Sequence, residues 1–306
     1  MRIVLIGGLK NGKLIAEYLN NHKKTQLQKV YVLKDDLAQK VSDYIFFDDV
    51  IPSDKLTKVE KINDHAEEIK ALKPDLIFVV GWSQLISNEI INSARIGVIG
   101  FHPAKLPKDR GRSVLAWQIA EGYEKGCVSM FWIDSGIDSG EIIGQQEFDI
   151  NYNDTIKDVL DKVYNICFDL TRTYYPLIVN GNVISIKQDE NYATYRRKRG
   201  KEDGIINWNK NSREVYNLVR AITHPYPGAS TFYKGKEIIV LEVEEQNICS
   251  EYRILKPGTI LEVKLGKGTV IKCKDKAVLI KKIKIENEII LEHEMQTVLK
   301  LGDVLG

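Results

Sequence analysis

One histidine and one aspartate stand out as residues that could exchange protons at a shared site. His102 ends an apolar run, and Pro103 and Pro107 stiffen the segment that follows it. Asp138 lies in residues 134–140, DSGIDSG, whose turn chemistry leaves its carboxylate able to face an open site. A positioned imidazole and carboxylate are what a proton-shuttling transfer to an amine requires. We therefore predict His102 and Asp138 as catalytic residues.

Each of these residues also has a simpler interpretation. An isolated histidine is usually structural, and Asp-Ser-Gly is common in ordinary turns. Asp134 is the competing carboxylate of the same segment, and we expect it to shape the loop. The remaining histidines have no second histidine or cysteine at metal-ligand spacing, so we predict no metal.

Cations near His102 could bind an anionic substrate. Lys105, Arg110 and Arg112 follow the histidine closely, and a guanidinium fork suits phosphate or carboxylate. The alternative is that they are solvated surface charges. The basic run 195–199 has the same two interpretations, and we favour a connector lying on an acidic surface.

The first glycine-rich turn nearly matches a phosphate-binding loop. Residues 7–14 read GGLKNGKL, but Leu14 stands where that loop needs a magnesium-binding hydroxyl, which argues against nucleotide hydrolysis. The spacing does not give the GxGxxG pattern either. A plain strand-to-helix turn and a substrate site at the helix N-terminus both remain open, with Gly8 and Lys10 as candidate substrate contacts.

Strand-like and helix-like segments alternate through the first half of the chain. Near-continuous apolar runs occur at residues 1–6, 30–33, 74–81, 97–101, 127–133 and 141–150. Helical patterns cover 11–21, 111–122 and 154–175, with Pro176 expected to end or kink the last. This alternation predicts an α/β fold, a Rossmann-like and mostly parallel sheet with helices on both faces. His102 then falls at the carboxyl edge of the sheet, where active residues gather.

The last part of the chain reads as a separate β-rich domain. Short strand-like segments occur at 229–233, 235–243, 258–264, 268–273 and 277–286. They predict a small OB-like barrel. We divide the chain into a catalytic domain (1–190), a linker and helix (191–228) and a C-terminal β-rich domain (229–306).

Composition is that of an ordinary soluble globular protein. The 306 residues are 43% hydrophobic and 28% charged, with a formal net charge of +2, so bulk charge gives no polyanion-binding signal. No stretch approaches the roughly 18–20 apolar residues of a membrane span. The four cysteines lack CxxC spacing, which favours reduced thiols and a cytoplasmic location.

The motifs together resemble the folate-dependent formyltransferases. That family's Asn-x-His-Pro-x-x-Leu-Pro motif, its glycine-rich basic turn and its Asp-x-Gly are similar to residues 100–107, 110–112 and 138–140. Further similarity lies at 193–195, 202–208, 219–228 and 302–306, so the resemblance covers nearly the whole chain. One departure is that the family's asparagine falls on Gly100.

The resemblance implies a chemistry and a set of contacts. N10-formyltetrahydrofolate would donate a formyl group, with the histidine and the missing asparagine stabilising the oxyanion and Asp138 holding the charge of His102. Loss of an oxyanion donor typically costs about 10²–10³ in rate. The cofactor contacts implied are Val80, Gly81, Trp82, Gln84, Leu85, Ile86 and Asp134. The candidate substrate contacts, taken from the residues themselves, are Gly8, Lys10, Lys105, Arg110 and Arg112.

The charge of the last domain favours a small acceptor over tRNA. Residues 231–306 contain 13 basic and 12 acidic residues, whereas tRNA binding needs a basic excess. We expect a nucleotide-linked amino sugar as the acceptor. The alternatives are a methionyl-tRNA formyltransferase, a formyl-folate hydrolase and a catalytically silent binding protein. The β-rich tail could also support a homodimer.

Overall fold

A computed structural model describes residues 1–286 and 288–306. The chain divides into two compact units. The first comprises Met1–Val114, Gly126–Phe148 and Leu160–Arg196, and the second comprises Leu115–Lys125, Asp149–Val159 and Arg197–Gly306. The segment 191–228, expected as a linker and helix, is therefore split, because residues 191–196 belong to the first unit.

A seven-stranded sheet forms the centre of the first unit, in the order β3-β2-β1-β4-β5-β7-β8. The pairs from β3 to β5 are parallel, and β5 pairs antiparallel with β7. Ile3 to Ile6 are completely buried, as expected of a strand covered on both faces. The strands are β1 (Arg2–Gly7), β2 (Gln26–Leu33), β3 (Leu56–Val59), β4 (Leu76–Val80), β5 (Gly97–His102), β6 (Arg110–Gly111), β7 (Lys125–Trp132), β8 (Ile142–Asp149) and β9 (Tyr195–Arg196). The predicted mostly parallel α/β fold is confirmed.

Two helices differ from the sequence-based expectation. The helices are α1 (Lys10–Asn21), α2 (Asp35–Ala38), α3 (Ala66–Ala71), α4 (Asn88–Ser93), α5 (Val114–Ala120) and α6 (Ile156–Val179). The start of α5 is later than predicted because Arg110 and Gly111 form β6 and Ser113 has a left-handed φ of 57°. Pro176 does not end α6, as one form of the prediction stated, because the helix continues to Val179. Burial of Tyr175 and Ile178 on either side of the proline outweighs the one lost backbone hydrogen bond.

The second unit carries an antiparallel sheet in the order β10-β11-β14-β13-β12, with β15 paired to β14. Its elements are α7 (Ser212–Ile222), β10 (Ala229–Tyr233), β11 (Lys236–Gln246), β12 (Ile260–Lys264), β13 (Gly268–Lys272), β14 (Ala277–Ile285), β15 (Glu288–Leu291) and α8 (Met295–Val298). Helix α7 packs against β11. Leu261, Val270, Ala277 and Leu279 form one of its apolar clusters. The predicted β-rich C-terminal region is confirmed.

The described residues contain neither a membrane-spanning helix nor a cluster of metal ligands. In residues 1–286 and 288–306, no helix has the length and hydropathy needed to cross a bilayer. Over the same ranges, no group of three or more His, Cys, Asp or Glu side chains could hold a metal ion. The four cysteines are free, and burial raises the pKa of Cys127 to about 11.

A buried carboxylate ties together the segments that begin the central strands. Asp75 precedes β4, and its Oδ2 accepts a hydrogen bond from the backbone N–H of Arg2 at 2.7 Å. Its Oδ1 accepts from the Nε of Arg95, also at 2.7 Å. Burial would raise the pKa of Asp75, but these hydrogen bonds outweigh it and hold the pKa well below its ordinary value.

We predict that Asp75→Asn destabilises the protein by roughly 2 kcal/mol at pH 7, because the charge-assisted hydrogen bonds are lost. A depressed pKa stabilises the fold above the unfolded-state pKa of about 3.9 and loses that effect as pH falls below it. The gap between variant and wild type should therefore narrow below about pH 4. Urea unfolding at a series of pH values measures this difference in the free energy of unfolding. Asp36→Asn, at an exposed position, is the control. A gap independent of pH would contradict this account.

Candidate functional site

His102 is buried at the carboxyl end of β5, with an exposed fraction of 4%. Its Nε2 lies 2.7 Å from the backbone oxygen of Asp109. Because a carbonyl oxygen can only accept, this contact assigns a proton to Nε2. The other nitrogen, Nδ1, is left to face the second predicted catalytic residue and is the one available for proton exchange.

Asp138 reaches that nitrogen from a distant part of the chain. Its Oδ2 lies 3.4 Å from Nδ1 of His102 and accepts a hydrogen bond from the backbone N–H of Gly111 at 2.8 Å. The residue has a left-handed φ of 51°, which aspartate tolerates better than most residues. The structure thus brings together the imidazole and the carboxylate that the sequence singled out.

The segment 109–111 organises both of these groups. The carbonyl of Asp109 holds His102, and the N–H of Gly111 holds Asp138. The segment is fixed in turn by β9, which pairs in parallel with β6. The Asp109 carboxylate accepts a hydrogen bond from Nε of Arg196 at 2.8 Å. The backbone N–H of Asp109 donates to the hydroxyl of Thr194. The sequence analysis did not predict these contacts, because no local pattern indicates that residues 109–111 pair with residues 194–196.

The space where the family's asparagine would lie is filled by apolar side chains. A Cβ built on Gly100 would come within 2.9 Å of Cγ1 of Ile133 and 3.1 Å of Cε1 of Phe131. Gly100 and His102 are two residues apart on one strand, so their side positions share a face of the sheet. Ile133 is partly buried and packs against the core cluster that contains Val98, so its side chain occupies the space beside Gly100.

The expectation that Arg110 is a surface anion clamp is wrong. Its side chain is completely buried, and all five of its N–H donors are used within the protein. The Nε and Nη2 groups donate to Oε1 of Gln188, and Nη1 and Nη2 hold the Glu190 carboxylate. Nη1 also donates to the Tyr195 hydroxyl at 2.9 Å. The Arg110 guanidinium holds the pKa of Glu190 below its ordinary value.

The other predicted cations differ in whether a carboxylate neutralises them. Lys105 pairs with Glu147 at 2.6 Å, and Lys10 pairs with Asp161 at 2.8 Å, both on the surface. In the described residues, the exposed guanidinium of Arg112 has no hydrogen bond or ion pair. Gly8 packs against Tyr44, whose Cε2 would lie 2.9 Å from an added Cβ.

The loop after β4, residues 80–86, is held in shape from several sides. The Val80 side chain is completely buried in the core, which leaves only its backbone for a ligand. Gly81 has a left-handed φ of 62°, and an added Cβ would lie 2.9 Å from Leu9. The Gln84 side chain donates to the Glu60 carbonyl and accepts from the N–H of Ile62.

Apolar side chains on this loop and on residues 134–140 face solvent. Leu85 is 83% exposed and Ile137 is 57% exposed, whereas Ile86 and Trp82 pack against a core cluster. The indole N–H of Trp82 is buried with no hydrogen-bond partner among the described residues. Exposed apolar groups on loops of fixed shape fit a flat ligand with polar edges.

Asp134 has a local structural contact, as expected. Its Oδ1 accepts from the backbone N–H of Gly136 at 3.0 Å and from the hydroxyl of Ser139 at 2.8 Å. These bonds close the turn that precedes Asp138. Any contact between Asp134 and a cofactor stays a prediction.

Comparison with known proteins decides the family. Residues 1–167 match the family described as Formyl transferase, and residues 198–295 match Formyl transferase, C-terminal domain. The chain belongs to the formyl transferase family. The resemblance predicted from the motifs is thereby confirmed, together with the assignment to the formyltransferases as an enzyme class.

Individual relatives extend over most of the chain. A methionyl-tRNA formyltransferase from Fusobacterium nucleatum is 31% identical over 236 residues, covering 76% of this chain and 75% of that protein. An N-formyltransferase from Helicobacter canadensis, solved with folinic acid and dTDP-3-aminofucose, has a TM-score of 0.67 at 21% identity, covering 91% and 97%. HypX from Aquifex aeolicus has a TM-score of 0.70 at 17% identity. The match covers 97% of this chain but only 49% of HypX, so the chain spans about half of that protein. The two solved structures support the fold.

We predict that Gly100→Asn lowers formyl transfer, because the new side chain would collide with Ile133. The double variant Gly100→Asn/Ile133→Ala makes room for the amide, which can then donate to the oxyanion. Its rate should be at least about tenfold higher than that of Gly100→Asn alone. Single-turnover rates of the two variants and of Ile133→Ala alone give the coupling. A faster Gly100→Asn single variant would contradict the steric argument.

Proposed function

We propose that this protein transfers a formyl group from N10-formyltetrahydrofolate to the amine of a nucleotide-linked amino sugar. The observation that carries the transfer chemistry is the distance of 3.4 Å between Nδ1 of the buried His102 and Oδ2 of the partly exposed Asp138. In the reaction the amine nitrogen bonds to the formyl carbon, the bond from that carbon to folate N10 breaks, and a proton moves from the amine to N10. The imidazole and carboxylate would carry that proton.

The folate would lie against the loop 80–86 and the turn 134–138. Bound there, it supplies an activated one-carbon unit. The exposed Leu85 and Ile137 give it apolar contact, and the backbone of residues 80–82 gives it polar contact. The turn held by Asp134 would cover it, whereas the Val80 side chain takes no part.

Paired charges favour a small acceptor over tRNA. In the basic run 195–199, Arg196 pairs with Asp109 and Arg197 with Asp203 at 2.6 Å, and Lys201, just after the run, pairs with Glu237 at 3.0 Å. The guanidinium of Arg199 lies over the Trp117 ring, 4.3 Å from its centre. Cations already neutralised within the protein contribute little to phosphate binding, which dominates nucleic-acid affinity. The near-neutral residues 231–306 point the same way.

Methionyl-tRNA formyl transfer is the second candidate, because relatives at 31% identity carry that name. The two candidates differ in acceptor only. A panel of nucleotide-linked 3- and 4-amino sugars, initiator methionyl-tRNA and a reaction without acceptor separates them.

We predict turnover of N10-formyltetrahydrofolate that depends on an amino-sugar nucleotide. His102→Ala and Asp138→Ala should each lower its kcat by at least about tenfold, within the range of general acid–base catalysis, without unfolding the protein. Formylated tRNA would support the second candidate instead. Formate release without acceptor would identify a hydrolase, and the absence of turnover with every acceptor would overturn the proposal.

Arg112 is the best candidate for the nucleotide phosphate, since its guanidinium has no partner in the described residues. We predict that Arg112→Ala raises the KM for the sugar nucleotide by roughly tenfold with little change in kcat, because a charge-assisted contact is worth about 1.5–3 kcal/mol. Arg112→Lys should fall between. The exposed Lys40→Ala is the charge control. Equal KM changes in Lys40→Ala and Arg112→Ala would show a general effect of net charge.

A further inference from the structure

One buried amide connects the turn that carries Asp138 to Arg110. Gln188 lies outside any helix or strand and has an exposed fraction of 4%. Its Nε2 donates to the backbone carbonyl of Asp138 at 2.8 Å and to that of Gly140 at 2.7 Å. It therefore holds both ends of the three residues 138–140 that present the carboxylate to His102.

The orientation of this amide is fixed by its neighbours. The two backbone carbonyls can only accept hydrogen bonds, and the Arg110 guanidinium can only donate them. Oε1 of Gln188 accepts from Nε of Arg110 at 3.2 Å and from Nη2 at 2.9 Å. With two donors and two acceptors all satisfied, only glutamine among the natural side chains of this length suits the position.

A carboxylate in turn fixes the position of the Arg110 guanidinium. Glu190 binds Arg110 through both carboxylate oxygens, at 2.7 and 2.8 Å, so the guanidinium cannot turn away from Gln188. The backbone of Arg110 lies between Asp109, whose carbonyl holds His102, and Gly111, whose N–H holds Asp138. One buried network therefore reaches the imidazole and the carboxylate from both sides.

From this we infer that Gln188 is a positioning residue for formyl transfer. It keeps Asp138 in its left-handed conformation with Oδ2 directed at His102, and Arg110 and Glu190 hold Gln188 in place. This inference rests on the proposed function for its kinetic consequence only, since the geometry it describes can be measured without turnover.

Two variants of similar size test it. Gln188→Met removes all four hydrogen bonds. Gln188→Glu keeps the contact with Arg110 but sets a carboxylate oxygen against the carbonyls of Asp138 and Gly140. Both should lower kcat by about tenfold or more with KM changed less than about twofold. In Gln188→Glu the new carboxylate forms an ion pair with Arg110 that offsets part of this repulsion, so its thermal stability should fall less than that of Gln188→Met.

A double-variant cycle separates positioning from general structural loss. Gln188→Met should slow Asp138→Asn by less than about twofold, because the residue it positions is already disabled. The matched control is Gln145→Met, which removes hydrogen bonds to the Leu106 carbonyl and the Ser129 hydroxyl instead. Its effect should be additive with Asp138→Asn. An additive effect of Gln188→Met would overturn the inference.

A measurement without turnover keeps the two proposals distinct. In protein with 15N-labelled histidine, Asp138→Asn should change the Nδ1 chemical shift of His102. Both Gln188 variants should change that shift in the same direction, and Gln145→Met should leave it unchanged. If every acceptor fails but these shifts change as stated, the proposed function falls and the positioning role stands. Shifts at wild-type values in folded Gln188→Glu would overturn the positioning role.

Discussion

A buried imidazole held between the Asp109 carbonyl and the Asp138 carboxylate is the constraint around which the candidate site in the first unit is arranged. The Nε2–H of His102 donates to the Asp109 carbonyl in place of water, and Nδ1 lies 3.4 Å from Oδ2 of Asp138. These acceptors come from different parts of the chain, so their positions must be held by further contacts. The small β6–β9 pair, the Gln188 amide and the buried Arg110 supply them.

The same need explains how the charges are arranged. Arg110 has a structural role inside the first unit, where its planar guanidinium donates hydrogen bonds to a carboxylate and to an amide oxygen. Lys10 and Lys105 are paired at the surface. Arg112 keeps an exposed guanidinium that has no partner in the described part of the chain, which a count of basic residues in the sequence would not reveal.

The proposed transfer site also has an apolar side. Gly100 leaves no room for an amide because Ile133 and Phe131 occupy the space beside it. The asparagine amide, which the resemblance implies as an oxyanion donor, therefore has no place there. In such surroundings each remaining hydrogen bond to developing charge is electrostatically stronger than in water. This gives the positioned His102 and Asp138 a larger share of the proposed chemistry.

The sequence by itself determined the fold class and the family, and it singled out the two residues that the structure brings together in the candidate site. Apolar runs reveal buried strands, and a histidine directly after such a run must lie at the strand's carboxyl end. Only the tertiary structure decided that Arg110 is internal, that Ile133 fills the asparagine position, and that Gln188 holds the Asp138 turn. These facts depend on contacts between side chains that are far apart in the sequence, and a local sequence pattern does not indicate such contacts.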